Sequence, residues 1–252
     1  MGLSQDQHET YQQDGFILLR GLFDPDALAS FEARFLALVS GQAPHGEDLV
    51  VMRDVMVAKG IVEPETLLHG VNKILSFEED EILFAYALNE TLLALVRSLI
   101  GSDVMTISTN VFNKPPGVDG RHPLHQDLRY FALRPAENIV GTWTAMSPTT
   151  RENGCLAVVP GSHREGLLDH GLPDWEYTNR GFFSIRDVAL TQRVHLEMSP
   201  GDTVLIHPLL VHGSGRNQSS GFRRAISAHY ASQECERSSG KRRRAPVIRK
   251  IG

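Results

Sequence analysis

Apolar positions along the chain follow two rhythms, and the change falls near Gly101. Before it they recur mainly at helical spacing, and the polar residues around them carry helix start and stop signals. Ser4 and Gln7 stand three apart as a capping box, so a helix begins there and stops near Gly15. The apolar run 16–19 reads as a short strand. Asp24-Pro25 starts a second helix, an N-cap followed by proline at the first helical position. Phe31, Phe35, Leu36 and Leu38 give it an apolar face, and Gly41 ends it. Asn89 caps a third helix that runs to Gly101 over Leu92, Leu93, Leu95, Val96 and Leu99.

Beyond Gly101 the apolar residues gather in short runs broken by Gly, Pro, Asn and Ser. Residues 104–113, 141–145, 155–159, 203–207 and 224–230 are the strand candidates. Short strands with punctuated turns point to a sandwich or jelly roll. Helices first and strands later give an α+β fold, mainly β, with N-terminal helices buttressing one sheet. No internal repeat or long linker divides the chain, so residues 1–252 read as one domain. Within it, 1–100 form the mainly helical buttress, 101–235 the core and 236–252 a basic tail.

Composition narrows the classes further. A chain of 252 residues, 41% hydrophobic and 22% charged, buries a large core without a disulfide or metal staple. Its two cysteines, Cys155 and Cys235, fit a reducing compartment. No stretch approaches the roughly 20 apolar residues of a membrane span. Net charge is −5, but Lys241, Arg242, Arg243, Arg244, Arg249 and Lys250 all lie in the last twelve residues. Subtracting those six takes the rest of the chain from −5 to −11, which argues against nucleic-acid binding. The tail is a phosphate contact or, more simply, a solvated mobile end. Asp6 spoils a myristoylation pattern, the last residues are no peroxisomal signal, and the N-terminus is polar, so the expected location is cytoplasmic.

The chemistry lies among the eleven histidines. Two His and one carboxylate on one face of an iron make the site of non-heme Fe(II) oxygenases. Its local part is His-x-Asp or His-x-Glu on a strand, where period two puts both side chains on one side. His45/Glu47, His125/Asp127, His163/Glu165 and His195/Glu197 match, and chance alone gives roughly one match. His45 lies in a loop and His163 after a turn, so surface roles suit them better. His195/Glu197, on a candidate strand, is the serious rival. His125 and Asp127 sit at the rim of the strand-rich region. The third ligand must come from a later strand, with His212 ranked above His207. An oxygenase of this type also binds 2-oxoglutarate, whose distal carboxylate suits a guanidinium. Only His212 has an Arg eleven residues later, Arg223. Arg224 alternates to the opposite face as a surface charge.

Several longer runs resemble the phytanoyl-CoA dioxygenase family. They are Gly120-Arg121-His122-Pro123-Leu124-His125-Gln126-Asp127, Trp143-Thr144-Ala145-Met146, Asn153-Gly154-Cys155-Leu156 and Gly201-Asp202-Thr203. Pro208-Leu209-Leu210-Val211-His212-Gly213-Ser214-Gly215 and Gly221-Phe222-Arg223-Arg224-Ala225-Ile226-Ser227 match as well. The similarity reaches back to Asp14-Gly15-Phe16 and to 51–55, and so covers nearly the whole chain.

The resemblance implies a double-stranded β-helix (jelly-roll, cupin-like) core and hydroxylation at the 2-position of a branched fatty acyl-CoA. It implies Fe(II), 2-oxoglutarate and O2, with ascorbate as a supporting reductant, and release of succinate and CO2. Carried over, the iron ligands are His125, Asp127 and His212. Arg223 and Ser214 fall at the distal carboxylate of 2-oxoglutarate, and Trp143 in the pocket wall. Lys73 and Asn110 match further contact positions, and Gln126 would lie close to the cosubstrate. Arg121, Arg129, Arg134 and the 241–244 cluster are the cations available to an acyl-CoA phosphate. Arg129 stands where the family often has His, and the loop 116–120 is shorter than in animal members. Two other function classes stay open: hydroxylation of another small molecule, and a non-enzymatic metal- or 2-oxoglutarate-binding protein.

Overall fold

The computed structural model describes residues 2–176, 181–185, 193–238 and 247–251. The helices form where their caps place them. In α1 (Gln5–Asp14) Ser4 Oγ accepts from the Gln7 amide and the Gln7 side chain accepts from the Ser4 amide. Gly15 closes it at φ 80, a left-handed conformation that costs glycine little. In α2 (Pro25–Val39) the Asp24 carboxylate accepts from the Ala27 amide. Its buried face is Leu28, Phe31, Phe35 and Leu38, whereas Leu36, expected on that face, is 38% exposed. The 100° step carries Leu36 off the stripe that Phe35 and Leu38 define. Two single turns, α3 (Val55–Ala58) and α4 (Glu81–Phe84), precede α5 (Glu90–Ile100), which Asn89 caps.

Beside two small two-stranded sheets, two large antiparallel ones form the core. Their strands are β1 (Phe16–Leu19), β2 (Val50–Arg53), β3 (Val71–Leu75), β4 (Val104–Lys114), β5 (His122–His125) and β6 (Ile139–Ala145). β7 (Leu156–Val158), β8 (Val194–Leu196), β9 (Thr203–Ile206), β10 (His212–Ser214), β11 (Arg223–Ser232) and β12 (Arg249–Ile251) follow. The major sheet runs β1-β9-β6-β11-β4-β3-β2, with β12 pairing onto the start of β4. The minor sheet runs β8-β7-β10-β5. Neighbours far apart in sequence, such as β1 with β9, mark the double-stranded β-helix.

Three strands of the major sheet thus come from the first hundred residues, where one was expected. β2 and β3 escaped notice because Val50–Arg53 is only half-buried and Val71–Leu75 carries Asn72 and Lys73 at its centre. The helices cover one face of the sheet, where Phe35, Leu92 and Val96 share a core with Ile74, Val111, Ile226 and Tyr230. The opposite face meets the minor sheet through Trp143, Val204 and Ile206 against Leu156, Val158 and Leu210. Both faces of β6 are therefore buried, and Tyr86 ties its Thr142 and Thr144 hydroxyls to the helical layer at 3.1 and 3.0 Å.

Two expectations are corrected here. Residues 249–251 are not a solvated mobile end: Ile251 is buried, and Arg249 donates to the Glu78 carbonyl at 2.6 Å and lies over the Phe84 ring. The 241–244 cluster lies outside the described residues. Arg224 is not a surface charge but pairs with Glu32 and covers the Phe222 ring at 5.0 Å. Among the described residues no helix is long and apolar enough to cross a membrane.

Candidate metal and cosubstrate site

β5 ends in His125, and the turn that follows brings Asp127 back beneath it. β10 pairs with β5 so that His212 stands opposite His125, with ring centroids 4.4 Å apart. The three side chains form a cluster whose ligand atoms all lie within 4.8 Å of one another. Asp127 Oδ1 is 3.4 Å from His125 Nε2 and 3.7 Å from His212 Nε2. Each ring is oriented by its other nitrogen: His125 Nδ1 donates to the Pro123 carbonyl at 2.7 Å and His212 Nδ1 to the Leu210 carbonyl at 2.9 Å. That leaves both Nε2 lone pairs for a metal.

The electrostatics fit the same role. Burial pushes the His212 imidazole down to about 4, against the pull of Asp127, so the ring stays neutral. Burial works to raise the Asp127 carboxyl, but the imidazoles of His212 and His229 beside it and the hydrogen bond from His229 Nε2 outweigh this and hold it well below the usual range. One carboxylate and two imidazoles suit a divalent first-row metal.

The triad opens into a cavity of about 420 Å³ lined also by Lys73, Asn110, Phe112, His122, Trp143, Ser214 and Arg223. Arg223 is 2% exposed; its Nη2 donates to the Gly154 carbonyl at 3.2 Å, while Nε and Nη1 are buried without a partner among the described residues. Its guanidinium lies 5.4 Å from the Trp143 ring. Burial lowers the Lys73 ammonium to about 8, with Asp127 opposing, and the group sits 5.4 and 5.3 Å from the Phe112 and Phe182 rings. Asn110 reaches Ser108 and Ser227 at 3.3 and 3.5 Å along the wall.

Eight of the nine expected site residues therefore meet in one place, and Gln126 does not. Its buried amide donates to the Gly166 and Leu209 carbonyls, each at 2.7 Å, and accepts from the Leu168 amide, so it pins neighbouring loops on the far side of the strand. The rival histidines stay away. His195, Glu197, His45 and Glu47 are exposed. His207 accepts from the Leu209 amide at 3.2 Å and lies tilted against His163 with ring centroids 5.0 Å apart, outside the cavity. Three residues had no local motif to announce them. His229 sits 2.9 Å from Asp127 Oδ2, Lys114 reaches Ser214, and His122 lines the cavity with both ring nitrogens buried and unpartnered.

With this geometry in view, the phytanoyl-CoA dioxygenase (PhyH) family matches residues 11–225. The chain belongs to that family. The peroxisomal phytanoyl-CoA dioxygenase of Mus musculus is 43% identical over 240 residues, 93% of this chain and 70% of the relative. A probable phytanoyl-CoA dioxygenase of Caenorhabditis elegans is 42% identical over 240 residues, 92% of this chain and 76% of the relative. Among solved structures, EctD from S. alaskensis with bound Fe superposes with TM-score 0.74 at 20% identity, covering 96% of this chain and 82% of its own. The non-heme alpha ketoglutarate dependent carbocyclase SnoK gives 0.71 at 19%, covering 97% and 92%. These two share the fold. Family membership and the His-Asp-His donor set together make this member of the phytanoyl-CoA dioxygenase family an Fe(II)/2-oxoglutarate-dependent dioxygenase.

Proposed function

We propose that the enzyme hydroxylates the 2-position of a branched fatty acyl-CoA, phytanoyl-CoA being the reference case, with release of succinate and CO2. The observation that carries the reading is a single cavity with the His125, Asp127 and His212 ligand atoms at one part of its wall and the unpartnered Arg223 donors at another. Relatives named phytanoyl-CoA dioxygenase at 41–43% identity supply the substrate class. The apolar wall of Val50, Met52, Leu75, Ile107 and Phe131 suits a hydrocarbon chain.

Iron held by His125, Asp127 and His212 supplies the oxygen-activating redox chemistry, with 2-oxoglutarate as the co-reductant. The protein's part is to bind and orient. Pro123 and Leu210 carbonyls fix the two imidazoles, and Arg223 with Ser214 takes a carboxylate. Trp143 and Phe112 give the cavity apolar walls.

A second reading, a small molecule with a polar group, is favoured by Glu78, whose 2%-exposed side chain lines the same cavity. One experiment separates them. The protein is given Fe(II), ascorbate and 2-oxoglutarate with a panel of acyl-CoAs, free acids and amines. Gain of one oxygen by a branched acyl-CoA is the expected result, and gain by an amine or free acid alone refutes the acyl-CoA assignment.

A further inference from the structure

Lys114, the last residue of β4, is 2% exposed, and among the described residues no carboxylate pairs with it. Its stem threads between Gly120 and Gly154, at φ 46 and 81; a Cβ on either would stand 3.2 or 3.1 Å from it. Its ammonium donates to Ser214 Oγ at 2.8 Å and to the Gly215 carbonyl. Across the ladder its partner is Arg223.

An ammonium has donors and no acceptor. In its bond with Lys114 the Ser214 oxygen can therefore only accept, and its own proton is left to point elsewhere. Ser214 lines the cavity, and among the described residues its hydroxyl makes no other hydrogen bond. Arg223 Nε and Nη1 are equally unspent. We propose that Lys114 is a positioning residue: it makes Ser214 an obligate donor, and Ser214 with Arg223 then grips one carboxylate of the cosubstrate. The inference rests on the 2-oxoglutarate reading above.

The test measures 2-oxoglutarate binding to the metal-loaded protein without oxygen, by calorimetry, beside the cosubstrate-induced rise in Tm and steady-state turnover. Ser214→Ala and Lys114→Met are each expected to weaken binding about 10-fold. The double variant should be no worse than the weaker single, because both break one bond. Metal affinity should hold within about two-fold, so that the loss falls on cosubstrate binding. Lys114→Gln, which keeps a shorter donor, replaces Lys114→Met if the latter does not fold. Wild-type binding by Ser214→Ala, or additive losses in the double variant, overturns the role of Lys114. Arg223→Leu is the reference. If it alone is impaired, the cosubstrate reading stands and Lys114 falls; if it too binds normally, the cosubstrate reading fails.

Discussion

His229 Nε2 holds one oxygen of Asp127 at 2.9 Å, while the other oxygen faces His125 and His212 at 3.4 and 3.7 Å. The carboxylate is thereby divided, one oxygen for the protein and one for a metal. Partners of this kind orient a ligand and are worth roughly 10- to 100-fold in metal affinity. His229→Ala should weaken Fe(II) or Mn(II) binding by about that much with little change in Tm of the metal-free protein. Unchanged metal affinity would show that Asp127 needs no such partner.

Removing a ligand itself has a larger effect. Asp127→Ala and His212→Ala are each expected to abolish succinate formation and stoichiometric metal binding, because two donors remain of the three that converge. Retained turnover in either purified variant would refute the triad.

Arg223 is expected to act on cosubstrate affinity rather than on the metal, since its free donors face the cavity. Arg223→Leu should raise the 2-oxoglutarate KM at least about 10-fold, as loss of a charge-assisted pair does, and leave metal binding unchanged. A saturation curve identical to wild type points to another anchor.

Acid should weaken the fold through His207. Burial, helped by His163, lowers this imidazole from 6.5 to about 4, so the native ring is neutral where the unfolded one is protonated. The unfolded state then binds more protons between those values, and stability falls as pH drops from about 6.5 to about 4. His207→Gln should show a shallower Tm decline across that window than wild type. Parallel declines would assign the acid sensitivity to other groups.

What the sequence disclosed was mostly local. Ser4, Asp24 and Asn89 announced their helices because a cap satisfies amides two or three residues away. His125 and Asp127 were legible from their spacing. The same alternation that puts them on one side sends Gln126 to the other, where it is found. Lys114 and His229 were invisible because their partners, Ser214 and Asp127, lie 100 and 102 residues away and meet them only through sheet register. β12 hides for the same reason: Arg249-Lys250-Ile251 says nothing in sequence of the edge of β4 at Val104 to Thr106 that it pairs with.

The candidate ligands of the metal end sit on the minor sheet and the turn beside it, whereas Arg223 belongs to the major sheet. A dicarboxylate held at both places is a strut between two layers that share no ladder. Its arrival should slow amide exchange in the β5–β10 pair together with the start of β11, which belongs to the other sheet. Rigidity across the sandwich would then arrive with the cosubstrate, before any substrate enters.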